Sequence, residues 1–372
     1  MRGRFLPLLL LVLLLLTALP ASAATVRDIE VPDDAVTCDL SALKRVYDNQ
    51  TDKIIAGLNA IPTLTACDMT QVTLSAKAAL ALTQGCPQIR FHFSLPLTQK
   101  AKVDSETEIL DVDSYHVAKS LKYDDLARVL QCMPNLKKVT MYDCNYSVTK
   151  MEELMALLPD VEFEWTLRFN KLKLKNTATA YSTLKGRQDP RYTAEDLQPI
   201  VDHVPGLLAL DVGHNNVSDI SFVRAWPNLR RLIVIDSKTP VTDISVLAEL
   251  PDLEYVELFM QDITDISALA NHTKLLDLNL CHNNITDLTP LYSCVNLERL
   301  WISYNPNLTE EELDAFRAAL PNCTVVTDVW SSTGEGWREH PRYEIMYESF
   351  KTGVYIPFDE ADETAENEAV TE

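Results

Sequence analysis

Residues 275–289 run Leu-Leu-Asp-Leu-Asn-Leu-Cys-His-Asn-Asn-Ile-Thr-Asp-Leu-Thr, and this stretch decides the fold. Its skeleton is Leu275-x-x-Leu278-x-Leu280, then Asn283, Ile285 and Asp287-Leu288. The same skeleton opens at Leu207, Leu229, Leu253, Leu275 and Leu297, in steps of 22, 24, 22 and 22 residues. The first line carries Leu207, Leu210, Val212, Asn215, Val217 and Asp219-Ile220; the last carries Leu297, Leu300, Ile302, Asn305 and Leu308. Ser237 and Gln261 replace the asparagine in the second and third lines, and the second line holds two extra residues around Lys238-Thr239-Pro240. Apolar residues at L-x-L point to one side of a short strand and their neighbours to the other. A repeat of this length cannot close a core alone, so successive strands must stack in parallel. The asparagine turns the chain by satisfying backbone groups with its amide.

The lines at Ile263-Thr264-Asp265-Ile266 and Ile285-Thr286-Asp287-Leu288 resemble bacterial leucine-rich repeats of the internalin type, whose lines end in ITDIxxL. The resemblance extends to uncharacterised exported leucine-rich-repeat proteins of Firmicutes, notably in Ser331-Ser332-Thr333-Gly334-Glu335-Gly336-Trp337-Arg338. It implies an α/β solenoid: a leucine-rich-repeat horseshoe with a parallel concave sheet, and helices and turns on the convex side.

Prolines measure the N-terminal half. Pro62, Pro87, Pro134, Pro159 and Pro205 each stand two residues before an apolar residue able to open a strand, at spacings of 25, 47, 25 and 46. A unit of 71–72 residues therefore occurs twice. Phe91-x-Phe93-x-Leu95 matches Phe163-x-Trp165-x-Leu167, and Asp125-Leu126 matches Asp196-Leu197. Thr149-x-x-Glu152, Thr193-x-x-Asp196 and Thr309-x-x-Glu312 are expected to cap helices. The predicted organisation is a signal peptide at 1–23, a helical cap at 24–61 and long repeats at 62–206. Repeats of the 22-residue type and a last cap repeat follow at 207–328, a C-terminal cap segment at 329–358 and an acidic tail at 359–372. Within the first cap, residues 38–61 carry helical spacing at Leu40, Leu43, Val46, Ile54 and Leu58.

Arg2 and Arg4, the apolar run Phe5–Leu16 and Ala21-Ser22-Ala23 form a secretory leader pattern, which places the mature chain outside the cell. The run is shorter than the roughly 20 residues that span a bilayer. The net charge is −21, and −23 once the leader is gone, which disfavours nucleic acid and anionic membrane surfaces as partners. Only nine glycines occur in 372 residues, against an average near 7%. Glycine loops that cradle phosphates are therefore not expected, and Gly334-Glu335-Gly336 lacks the flanking strand and helix such a loop needs. No zinc, hydrolase or P-loop motif occurs, so neither metal nor cofactor is expected. Asp111-x-Asp113 lacks the glycine and terminal glutamate of a calcium loop. His214 and His282 occupy equivalent positions three repeats apart, about 14 Å at ~4.8 Å per strand, too far to share a metal.

Eight cysteines in an exported chain permit disulfides. The one pairing expected is Cys38–Cys67; Cys144 and Cys323 fall on buried repeat positions, and Cys281 is expected to face outward. Solenoids act through the concave face, where Tyr255, Phe259, Met260, Trp301 and Tyr304 flank Asp277 and His282, with His214 further along. The expected function is recognition of a protein or cell-surface polymer through these residues, without catalysis. Three other readings stay open: residues 331–358 cover this face, the face holds a carbohydrate-processing enzyme using Asp211, Glu257 and Asp277, or the chain is a spacer in a surface assembly.

Overall fold

The computed structural model describes residues 23–186, 191–330 and 336–359. The expected leader up to Ser22, residues 331–335 and the acidic tail beyond Asp359 lie outside the described residues. The chain divides into two compact units, Met1–Lys138 and Val139–Glu372. Among the described residues no helix is long and apolar enough to cross a membrane.

In the first unit, strands Thr37–Asp39, Ala66–Met69 and Arg90–Pro96 run parallel in that order, and Lys102–Asp104 returns antiparallel beside the third. An antiparallel hairpin, Ala23–Val26 with Ile29–Pro32, precedes them. The expectation of helix over 38–61 is corrected. Cys38 lies within the first strand, and the α-helix covers only Thr51–Asn59, where Ile54 and Leu58 are buried. Gly57 lies in that helix because the hairpin crosses it closely; a Cβ there would stand 2.9 Å from Val26 Cα.

All five ruler prolines sit between a helix and the strand that follows. Thr51–Asn59, Ala76–Gly85, Tyr123–Leu130, Val148–Leu157 and Gln198–His203 each end just before one. Strands Ala66–Met69, Arg90–Pro96, Lys138–Met141, Glu162–Phe169 and Ala209–Asp211 begin three or four residues after it. Proline cannot extend the preceding helix, so its position fixes where the chain turns. The duplication has a structural form. Arg90–Pro96 pairs with an antiparallel Lys102–Asp104, and Glu162–Phe169 with an antiparallel Leu172–Lys175. Ile109–Asp111 recurs as Ala180–Ser182, 71 residues on. The matched residues Phe91, Phe93 and Leu95, and Phe163, Trp165 and Leu167, are all buried.

The second unit holds a seven-stranded parallel sheet in chain order: Ala180–Ser182, Ala209–Asp211, Arg231–Ile233, Tyr255–Glu257, Asp277–Asn279, Arg299–Trp301 and Thr324–Val326. Leu210, Leu232, Val256, Leu278 and Leu300 lie in register and are buried within the repeats. Asn283 Nδ2 donates to the Leu258 and Leu280 carbonyls at 2.8 and 3.0 Å, and its Oδ1 accepts from Ile263 N at 3.1 Å. Asn305 does the same one line on, and Asn215, three lines back, does so with the Thr183 hydroxyl in place of the neighbouring carbonyl. Gln261 reproduces the pattern, donating to Val234 and Phe259 carbonyls and accepting from Val241 N. Ser237 is too short to follow; its Oγ is buried without a partner.

On the convex side Asp219, Asp243, Asp265 and Asp287 each accept from the backbone N–H two residues on, at 2.8 Å, and open short 3₁₀ turns. Thr309 caps Glu310–Ala319, accepting from Glu312 N at 3.2 Å. Thr193 and Asp196 form a reciprocal box. For Val148–Leu157 the expected cap moves: Ser147, not Thr149, accepts from Lys150 N.

Candidate functional site

Register places four rows of side chains on the concave side of the seven-stranded sheet. The first row includes Ala209, Arg231, Tyr255, Asp277 and Arg299; the second Asp211, Ile233, Glu257, Asn279 and Trp301. A third follows with Ile235, Phe259, Cys281 and Ser303, and a fourth with His214, Asp236, Met260, His282 and Tyr304. The first three rows are covered by the chain's own C-terminal segment. Helix Pro341–Thr352 starts at His340, with proline in its first turn, and stops at Gly353, whose φ is 81°. Trp337, Met346 and Phe350 pack with Ile233, Ile235, Tyr255, Phe259, Cys281 and Trp301.

The expected exposure of Tyr255, Phe259, Trp301 and Asp277 is therefore corrected; Tyr255 is 0% and Trp301 3% exposed. Cys281, expected to face solvent, is buried beneath the same cover. The reason is hydrophobic: an aromatic strip this broad loses free energy in water, at about 25 cal/mol per Å², and a tethered segment can cover it.

Charge complementarity fixes the cover. The Arg231 guanidinium lies 3.7 Å from the Phe358 ring centroid and 4.4 Å from that of Tyr355. It donates to the Ile356 carbonyl at 2.6 Å and pairs with Glu254 at 2.9 Å. Asp277 is shared by Arg299 at 2.5 Å and Arg342 at 2.8 Å, while Arg342 also meets Glu298. Arg299 in turn stacks 4.5 Å from the Trp337 ring centroid. Buried charges need such partners, since an uncompensated one costs several kcal/mol, roughly 3–5.

Of the three acids on this face, Asp277 is held between two arginines. Asp211 accepts from Ser182 Oγ at 2.6 Å and Gly213 N at 2.9 Å. Glu257 accepts from the Tyr255 hydroxyl, and its Oε2 has no hydrogen-bond partner. Burial raises the pKa of both Asp211 and Glu257 above the ordinary carboxylate value; the hydrogen bonds they accept, and Arg338, oppose that rise. A cavity of about 440 Å³ lies between sheet and helix, lined by Asp211, Glu257, His214, Arg338, Met346 and Phe350 among others.

The fourth row remains in contact with solvent. Its five members have φ of 58°, 48°, 57°, 57° and 56°, a left-handed ladder recurring at one repeat position. His214 Nδ1 lies 2.8 Å from Asp236 Oδ2. Further along, the His282 and Tyr304 rings stack with centroids 4.3 Å apart and planes at 8°. Trp330 stands edge-on to both, at 5.1 and 5.0 Å, and its carbonyl is 2.8 Å from His282 Nε2. Met260, Tyr304 and Trp330 are 45%, 50% and 65% exposed. The structure thus brings Met260, His282 and Tyr304 of the expected residues to one edge of the sheet and keeps His214 on its far end. Sequence reasoning missed Trp330. The repeat period places Asp236 in the same row; Trp330 lies past the last repeat, where no period reaches.

No curated protein matches the chain. Residues 273–317 match the family of leucine-rich repeats in two copies. Among solved structures the chain is similar to an internalin of Listeria monocytogenes (InlF), at 18% identity, covering 78% of this chain and 71% of that one with a TM-score of 0.33. Internalin C2 of the same organism gives 18% identity, 71% and 88% coverage and a TM-score of 0.31. A leucine-rich-repeat protein of Leptospira interrogans gives 13%, 74% and 91%, and 0.33. With its stacked strands, asparagine ladder and matching repeat segment, the chain is an α/β leucine-rich-repeat solenoid.

Proposed function

We propose that this is an exported recognition protein that binds a protein or a surface polymer, without catalysis, through the edge formed by Met260, His282, Tyr304 and Trp330. The carrying observation is the exposure of three large side chains around a stacked His282–Tyr304 pair on an otherwise covered sheet. Tyrosine, tryptophan and methionine are enriched at interfaces and supply contact area with few rotamers to freeze. Ring stacking of this kind also suits a sugar face. Export rests on the leader pattern at residues 1–23. The reading without catalysis is supported by the acids: Asp277 is occupied by two guanidiniums, and Asp211 by Ser182 and Gly213.

The left-handed backbone supplies a clean test, because glycine adopts φ near 57° more readily than methionine or tyrosine. A Met260→Gly, Tyr304→Gly, Trp330→Ala variant should keep its melting temperature within about 3 °C. It should lose retention on insoluble peptidoglycan, or on whichever spot of an extracellular-protein array the parent chain marks. Equal retention by parent and variant rejects this edge as the binding surface.

A further inference from the structure

Two of the eight cysteines stand directly opposite one another. Cys38 in strand Thr37–Asp39 and Cys67 in strand Ala66–Met69 are register partners in a parallel pair. Neighbouring strands lie about 4.8 Å apart, within the ~4.4–6.8 Å Cα separation that a disulfide spans. Both are free thiols. Among the described strands no other cysteine faces a cysteine in register.

The two are not equivalent. Cys38 is half-buried, whereas Cys67 is 1% exposed. A groove of about 440 Å³ reaches both, its walls formed by Asp39, Asp68, Arg90 and His92 with others. We propose that Cys38 and Cys67 form a thiol–disulfide exchange site for low-molecular-weight disulfides, with Cys38 as the attacking thiol and Cys67 as the resolving one.

The Cys38 thiolate attacks one sulfur of R–S–S–R, forming Cys38–S–S–R and releasing R–S⁻, which takes up the proton Cys38 lost. Cys67, deprotonated in its turn, attacks the Cys38 sulfur; the Cys38–Cys67 bond forms and the second R–S⁻ leaves with the Cys67 proton. The two protein thiols are oxidised and one small disulfide is reduced to two thiols. The neighbouring Cys67 thiol holds the Cys38 pKa below the ordinary thiol value, against opposing burial and Asp39, which favours attack from the more accessible sulfur. The Cys67 pKa is raised, first by the neighbouring Cys38 thiol and then by burial. Closure ties the first strand to the second around helix Thr51–Asn59.

The test treats the full chain with oxidised glutathione and follows intact mass and peptide maps. The expected product has lost two hydrogens, contains a Cys38–Cys67 peptide and melts about 5 °C or more above the reduced chain. Cys67→Ala should stop at a stable glutathione adduct on Cys38, and Cys38→Ala should react at least tenfold more slowly at position 67. A stable Cys38 adduct in the parent chain, or no Cys38–Cys67 peptide, overturns the proposal. Brief native alkylation with iodoacetamide needs no variant: Cys38 must be labelled before the other seven cysteines, and any other order also overturns it.

Discussion

At the residue scale, two buried polar side chains show how much one atom can carry. Asn283 serves four backbone groups of its own and the neighbouring lines. Asn283→Ala leaves them unpaired inside the stack, and the expected loss is about 3 kcal/mol by chemical denaturation. Glu257 is a different case, because burial holds its folded pKa above the ordinary 4.5. A carboxyl shifted upward on folding contributes full stability below its unfolded value and loses it as pH rises toward the folded one. Glu257→Gln keeps an oxygen for the Tyr255 hydroxyl and removes the titration. The melting-temperature advantage of the variant should be near zero at pH 4 and grow toward pH 7. An advantage that stays flat with pH would show that Glu257 titrates alike in both states.

At the element scale, helix Pro341–Thr352 and the residues around it convert a sheet face into a core. Trp301 contacts Trp337 at a ring-centroid separation of 5.4 Å and is nearly fully buried. Trp301→Ala should cost about 3–5 kcal/mol of unfolding free energy, as large-to-small changes in cores do; a loss under about 1 kcal/mol would mean the cover is loosely held. The repeat period alone made Trp301 and Phe259 look like binding residues, because outward from a strand usually means toward water. What decides otherwise lies outside the period. The covering segment has one helix, and its partners Arg342 and Asp277 are 65 residues apart, so no local pattern links them. Met260, His282 and Tyr304 stayed legible because their exposure depends on backbone turning at the repeat itself.

On the scale of the whole molecule, the five ruler prolines and the asparagine lines marked the strands that follow each of them through local chemistry, whereas the antiparallel strands Lys102–Asp104 and Leu172–Lys175 carry no such marker. The N-terminal strand Thr37–Asp39 escaped notice because its three residues carry too little pattern beside the strong helical spacing that follows. A chain ending at Trp330 would expose Tyr255, Phe259, Ile233 and Ile235 together. Contiguous exposed apolar patches of this kind favour association. The truncated chain should self-associate in size-exclusion chromatography at concentrations where the full chain stays dispersed; a well-behaved monomer would contradict the assigned cover.

The end of the C-terminal segment reaches further than the cover requires. Beyond its helix, the Gly353 carbonyl accepts from Thr179 and Ala180 backbone N–H groups, and Tyr355 N donates to Thr179 Oγ1, at the first strand of the seven. Trp337, meanwhile, rests on Trp301 in the sixth strand, and Val326 of the seventh packs against the same cluster. Stacked repeats ordinarily melt from their ends, since each touches only its neighbours. A strap fastened near both ends removes that freedom: neither terminal strand can open without releasing contacts held by the other. Amide exchange in strands Ala180–Ser182 and Arg299–Trp301 should therefore show similar opening free energies, near that of global unfolding, and thermal melting of this unit should be a single cooperative step rather than a progressive fraying.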